Sequence, residues 1–479
     1  MTELIAFYHQ EKKRFEIKRD LVKRRINLVS LIRIGLFLFT LITSYYTFET
    51  KILFISLIIF SLVGFVFLVL KYQNLTSDKE LCEELIRINN IEMDALNGEY
   101  SDLPTGSEFI DDHHFYSNDI DLFGKGSFFQ YMNRTATGSG AEALAQVLLE
   151  NNPDEIIQRQ EVIKELSQKV SWRQRFLALA NMVKVEVDHK TIISWIKNYE
   201  SFLPSTMTYI PFIFSALSFI FFTLLVFNLI SFFILVIWFF IGLAITSPFF
   251  KKINHLYVDA GKVKDTFRQY HSLLKEIEDL PINSELALKQ QEKIRSSRKK
   301  ASVIFKEFSK ILDAFDQRNN MLFGILGNGF FLWDIRQTSK IDTWVKTYKF
   351  QVESWFEVIA YFDAQISLSN YSYNHPDHNY PDIVQNDMVV EAKELGHPLL
   401  DKKIRVNNDF SIYKKDFHIV TGANMAGKST FLRTISIGLV MANSGLPVCA
   451  KSMKYSAIKL ITSMRTADSL AEESSYFYA

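Results

Sequence analysis

The chain has 479 residues, with 54 Lys plus Arg against 53 Asp plus Glu, a formal net charge of +1. That balance excludes a globally basic nucleic-acid coat and an acidic tail protein, so a charged partner must be met by a local patch. Two cysteines, Cys82 and Cys449, are too few for a disulfide framework and too far apart for a metal knuckle; they fit a reducing compartment.

With 42 Phe and 48% hydrophobic residues beside 22% charged ones, the composition points to two populations, soluble and membrane segments. Residues 34–48 and 52–70 are apolar and separated by Glu49-Thr50-Lys51. Arg33 can snorkel to the interface, which extends the first span back toward Asn27. Between Glu200 and Lys251 no residue is charged, a run of 50 positions. At ~20 residues per span this accommodates two helices, roughly 207–227 and 229–249, with Asn228 near the turn. Phe219-Ile220-Phe221-Phe222 and Phe232-Phe233-Ile234-Leu235 are apolar on every face, unlike an amphipathic soluble helix. Lys18, Arg19, Lys23, Arg24 and Arg25 precede the first hairpin, Lys71 follows it, and Lys251 and Lys252 follow the second. Both hairpins should therefore start and end in the cytoplasm, and no cleavable signal is expected.

The remaining segments read as soluble. Residues 72–206 are helical in pattern, with a loop over Ser107 to Asn118 whose adjacent His113 and His114 suit solvent better than zinc. Residues 255–320 predict long exposed helices. Their basic cluster (Arg295, Arg298, Lys299, Lys300) fits either a solvated face or phosphate contact. Gly324-x-x-Gly327-x-Gly329 is a packing feature, and His375-Pro376-Asp377-His378 is a loop without a metal assignment.

Chemistry concentrates near the C-terminus. Gly422, Gly427, Lys428 and Ser429 satisfy G-x-x-x-x-G-K-[ST], between an expected strand at Phe417–Val420 and a helix from Ser429 to about Asn443. In such a loop the backbone N–H groups of Gly422, Ala423, Asn424, Met425, Ala426 and Gly427 turn around a β-phosphate. The helix dipole favours the anion, Lys428 reaches the β/γ-phosphates, and Ser429, followed by Thr430, ligates Mg²⁺. The expected ligands are ATP and Mg²⁺, with Ser429 the metal-binding residue.

Here the residues carry a resemblance. Thr421-Gly-Ala-Asn-Met-Ala-Gly-Lys-Ser-Thr430 resembles the nucleotide loop of MutS-type mismatch-repair ATPases, which have Pro and Gly where this chain has Ala423 and Ala426. Gly396-His397-Pro398-Leu399-Leu400, after a strand-like run at Met388–Ala392, is similar to that family's His-Pro element. Asp121-Leu-Phe-Gly124, Asn133-Arg-Thr-Ala-Thr-Gly138 and Ile156-x-x-Arg159-Gln160 resemble the start of its core. Met464 to Leu470 and Ser475-Tyr476-Phe477 resemble the segment ending in the signature serine, here Ser475. The resemblance implies ATPase domains paired head to tail in a homodimer, Ser475 reaching the partner's γ-phosphate, and DNA as a partner. Ile404 and Val406 fall where a base-stacking platform is expected, and a buried strand accounts for them equally well.

The implied fold is mixed: an α-helical MutS-like core interrupted by transmembrane hairpins, followed by a partial α/β P-loop ATPase domain of the ABC class. The expected segments are a basic cytoplasmic stretch (1–26), hairpin one (27–71), a helical linker and loop (72–116) and the first part of the core (117–206). Hairpin two (207–250), a second core or lever part (251–371) and an incomplete ATPase domain (372–479) follow. Nothing matches the family's Gly-x-Phe-Tyr-Glu mismatch wedge. Only 51 residues follow Lys428, none forming an apolar strand that ends in Asp-Glu, so no catalytic carboxylate is identified. A truncated chain, or one completed elsewhere, is expected, binding Mg-ATP weakly and hydrolysing it negligibly. The function expected is ATP-dependent DNA binding in mismatch repair or a related DNA transaction, by a multi-pass membrane protein whose soluble domains are cytoplasmic. The alternatives are an ABC-type transporter and an ATP-switched membrane–DNA tether. Against the transporter, only Arg33 is charged within the spans and Leu-Ser-Gly-Gly-Gln is absent.

Overall fold

The computed structural model describes residues 2–183, 187–295, 299–385, 387–423 and 426–463. Two helices of 46 residues each, α1 (Thr2–Thr47) and α2 (Lys51–Leu96), open the chain as an antiparallel pair. At roughly 1.5 Å per residue each is about 70 Å long, so the apolar spans are only parts of longer rods. Gly64 lets the rods approach, since a Cβ there would sit 3.3 Å from Leu36, and Thr40 Oγ1 donates to Ser61 Oγ at 2.9 Å. The Arg33 guanidinium lies over the Tyr72 ring at 5.0 Å.

A turn-rich stretch follows, then α3 (Phe128–Met132), α4 (Gly138–Leu149), α5 (Ile156–Ser167), α6 (Val170–Asn181) and α7 (His189–Lys197). The uncharged run forms α8 (Ile210–Val226), with Pro211 in its first turn, and α9 (Phe232–Thr246). Asn228 turns between them in the left-handed region, φ 57°. Phe214 stacks on Trp238 across the pair, with centroids 4.2 Å apart. A short turn at Ser247–Phe249 carries α9 into α10 (Phe250–Glu278). Among the described residues three stretches are long and apolar enough to cross a membrane: Thr2–Thr47, Ile52–Leu96 and Phe232–Glu278. α8, with 17 residues between the first turn that holds Pro211 and the Asn228 turn, is a shorter apolar helix.

Next come α11 (Glu285–Arg295), α12 (Ala301–Asp316), α13 (Met321–Phe331) and the 42-residue α14 (Trp333–Asn374). The expectation of exposed helices over 255–320 is corrected. Ile253, Leu256, Ala260, Val263, Phe267, Tyr270, Leu274 and Ile277 form one buried stripe of α10 at helical spacing. Phe267 is ringed by Phe305, Phe308, Trp344 and Phe356, and Phe308 stacks on Trp344 at 3.9 Å. Burying these aromatics stabilises a side chain by ~1.5–3 kcal/mol each, which makes α10, α12 and α14 the heart of the core. The described cations of the basic cluster are engaged within the protein: Lys299 with Glu307, Lys300 with Asp279, and Arg295 with Glu278 O.

A small mixed sheet closes the described chain: β1 (Asp382–Ile383), β2 (Met388–Leu395), β3 (Asn408–Tyr413) and β4 (Ser452–Tyr455) in the order β1-β4-β2-β3. β1 and β4 are parallel, and β2 is antiparallel to both its neighbours, with Ala392 opposite Met453 and Phe410. Between β3 and β4 runs α15 (Lys428–Asn443), whose C-terminal half is buried against α4, α14 and the sheet.

Candidate functional site

The phosphate-loop pattern lies at the N-terminus of α15. Gly427 precedes the helix at φ 85°, a conformation in which a side chain is strained, so the glycine is a local requirement of this turn. The helix then starts at Lys428, one residue before its expected start, and ends at Asn443 as expected. N–H groups of a first turn have no intrahelical acceptor and carry the positive end of the dipole. Lys428 Nζ donates to Gly422 O at 2.7 Å and Ala423 O at 2.6 Å, folding the ammonium back on its own loop. Ala426 N donates to Ala423 O at 3.2 Å. Gly422, Ala423, Ala426, Gly427, Ser429 and Thr430 are exposed; Asn424, Met425 and Ser475 lie outside the described residues.

The expected strand at Phe417–Val420 does not form. No described strand runs beside it, and a single extended segment has no ladder for its peptide groups. Phe417 is accordingly 85% and Ile419 74% exposed. The loop is held from the other side: Phe431 meets Phe410 of β3 with centroids 5.9 Å apart, and Arg433 Nη1 pairs with Asp121 at 2.6 Å. That ion pair joins Asp121–Gly124, singled out in the sequence, to the helix that follows the Gly422–Ser429 pattern.

The His-Pro element occupies the end of β2. Gly396 N donates to Cys449 O, and a Cβ at Gly396 would collide with Asn407 and Arg405. His397 is pushed below the usual histidine range by burial and then by Arg433 and Arg405, so it is neutral near pH 7. Ile404 and Val406 are 74% and 75% exposed in the loop before β3, which removes the buried-strand account of them.

Three further histidines are engaged within the fold. His114 Nδ1 accepts from Ser117 N at 3.2 Å while Nε2 meets Leu149 O at 3.2 Å. His375 spends both ring nitrogens, on Tyr371 O and Tyr131 Oη. His378, its ring tilted against that of His375 with centroids 4.7 Å apart, is held neutral by burial, down to about 3. Among the described residues one group has metal-ligand geometry, Glu142, Asp188 and His189, and it contains no residue of the loop.

Two features behind the site escaped sequence reasoning. Asp363 of α14 accepts from Ala136 N, Thr137 N and Thr137 Oγ1, fastening the Asn133–Gly138 motif to the long helix. Burial raises its carboxyl to about 6 against the pull of those donors. Arg134 pairs with Glu92 at 2.7 Å, and Glu92 Oε2 also accepts from Asn370 and Asn374. Tyr8 Oη donates to Asn374 Oδ1 at 2.7 Å and Arg173 donates to Asn370 Oδ1 at 2.6 Å. This buried polar knot joins α1, α2, α6 and the loop after α3 to the end of α14.

Residues 418–479 match the family model of MutS domain V. The chain is 28% identical over 177 residues to a DNA mismatch repair protein MutS of Acholeplasma laidlawii, covering 35% of this chain and 19% of that protein. It is 33% identical over 137 residues to a DNA mismatch repair protein MutS of Thermodesulfovibrio yellowstonii, covering 25% and 15%. An Endonuclease MutS2 of Bacillus cytotoxicus is 41% identical over 68 residues, covering 14% and 8%. The chain thus spans less than a fifth of the length of these relatives.

Proposed function

We propose that this MutS-type chain is a multi-pass membrane protein whose cytoplasmic C-terminal segment binds Mg-ATP and serves DNA mismatch repair or a related DNA transaction as a homodimer. The observation that carries the nucleotide reading is the start of α15: a left-handed Gly427, an ammonium on two loop carbonyls, and the hydroxyls of Ser429 and Thr430 in one turn. That donor set suits a polyphosphate, because its charge is wholly positive and its backbone dipole agrees in sign. Lys428 would leave Gly422 O and Ala423 O for the β/γ-phosphates, and Ser429 would hold Mg²⁺. The metal supplies neutralisation of phosphate charge; the loop supplies position. DNA and the dimer rest on the resemblance to MutS-type proteins, and the membrane reading on the apolar stretches.

Removing the Lys428 ammonium takes away a charge-assisted contact of ~1.5–3 kcal/mol, so Lys428→Ala should weaken binding of a fluorescent ATP analogue by roughly 10- to 150-fold. Unchanged affinity would move the site elsewhere. Carbonate extraction should leave the protein in the membrane pellet; recovery in the supernatant would refute the membrane reading.

A further inference from the structure

We infer that α13 and the first turn of α14 form a re-entrant element that enters the hydrocarbon beside α8 and α9, with lipid acyl chains covering its outer face. The inference rests on the membrane reading above and adds a segment that is too short to span. α13 has 11 residues, about 16 Å, roughly half of a ~30 Å hydrocarbon core.

Its packing places it against the second hairpin. A Cβ on Gly242 of α9 would strike Gly329 O and Asn328 O, and one on Gly329 would strike the Phe239 ring, so the backbones of α9 and α13 touch. Phe330 meets Phe222 and Phe239 at centroid distances of 5.0 and 5.2 Å. Those partners lie well inside α8 and α9, away from their cytoplasmic ends at Ile210 and Thr246. The outer face of α13 is apolar and unpartnered, with Met321, Leu322 and Leu326 exposed at 76%, 73% and 51%, continuous with the exposed Phe and Ile of the hairpin.

Polar bookkeeping at its turn agrees with this location. Leu332, at φ 49°, breaks the helix and strips the last carbonyls of α13 of helical donors. Such carbonyls are tolerated at membrane depth only when protein groups satisfy them. Ser218 of α8 donates to Phe330 O and accepts from Trp238 Nε1 at 2.8 Å, and Ser215 Oγ lies 3.5 Å from Phe331 O. Asn328 Oδ1 takes Asp334 N, the first-turn N–H of α14. At the neck, Arg318 pairs with Asp334 at 3.1 Å and lies over the Tyr257 and Phe250 rings, closing the element where α10 leaves the hairpin.

The test uses the full chain with Cys82→Ala and Cys449→Ala, reconstituted in phosphatidylcholine–phosphatidylglycerol vesicles. Single cysteines at Leu322→Cys, Leu326→Cys, Phe233→Cys of α9 and the exposed Lys289→Cys of α11 carry an environment-sensitive fluorophore. Lipids bearing a nitroxide on the acyl chain should extinguish the emission at positions 322, 326 and 233 and spare position 289. Quenching at 233 with positions 322 and 326 spared would overturn the re-entrant element while leaving the hairpin in place. No quenching at 233 either would overturn the membrane reading and this inference together.

Discussion

The two apolar hairpins are built on opposite plans. The first is a pair of long rods that touch each other, joined in their apolar part by a side-chain hydrogen bond from Thr40 to Ser61. Its attachment to the rest of the molecule lies far along the same rods, where Tyr8 and Glu92 enter the buried knot with Asn374. The second is made of short helices that form a socket for α13, cross-linked through Ser218, Trp238 and the Phe330 carbonyl. It is joined to the C-terminal segment by α14, which starts beside the socket and ends in the same knot. Length substitutes for packing in one hairpin, and packing for length in the other.

The comparison is broken most forcefully at the knot. Glu92→Ala leaves the Arg134 guanidinium buried without its partner and strips Asn370 and Asn374 of an acceptor. A buried pair cut on one side costs ~3–5 kcal/mol, and thermal unfolding in detergent micelles should show it. A small loss would mean that the first hairpin is not anchored there.

Asp363 tests the route of the second hairpin along α14. Asp363→Ala abandons three donors in the loop before α4 and should cost ~2–3 kcal/mol. Its pH dependence has a defined sign. The folded carboxyl titrates at about 6, above its ordinary value of 3.8, so the folded state holds the proton more tightly. The Asp363 contribution to stability is therefore greatest below the unfolded value, falls as pH rises through that window, and is constant above it. Comparing the stability of the parent and Asp363→Ala between those limits reads the slope directly; a difference that grew with pH would contradict the assignment.

Within the apolar hairpins the effects are smaller and unequal. Ser218→Ala removes the donor to Phe330 O and the acceptor of Trp238 Nε1, about 1–2 kcal/mol. Thr40→Val removes a single interhelical bond of about 0.6 kcal/mol. Equal losses of detergent stability in the two variants would erase the distinction between the hairpins.

Local chemistry made part of this architecture legible in advance. The apolar stretches, the start and end of α15 around Gly427 and Asn443, and the strand at Met388 are governed by neighbouring residues along the chain. Hydrophobic length, a glycine conformation and side-chain period need no distant partner. The Phe417–Val420 segment has the same apolar character and still forms no strand, because a ladder belongs to two segments and the sequence names only one.

Tertiary structure alone decided which helices are central and where the polar interior lies. The charge density of residues 255–320 is real, yet it marks the outer side of helices whose inner sides carry Phe267, Phe305 and Phe308. Asp363 and Asn133–Gly138 are more than two hundred positions apart, as are Glu92 and Asn374, and no local pattern relates them. The sequence by itself determined the apolar hairpins and the helix after the Gly-Lys-Ser pattern, through hydrophobic run length and backbone conformation. The socket for α13, the knot that receives both hairpins and the neutral His375–His378 pair came from folding. Each depends on burial that only distant segments create, and burial is what turns a hydrogen bond, an ion pair or an imidazole into a structural element.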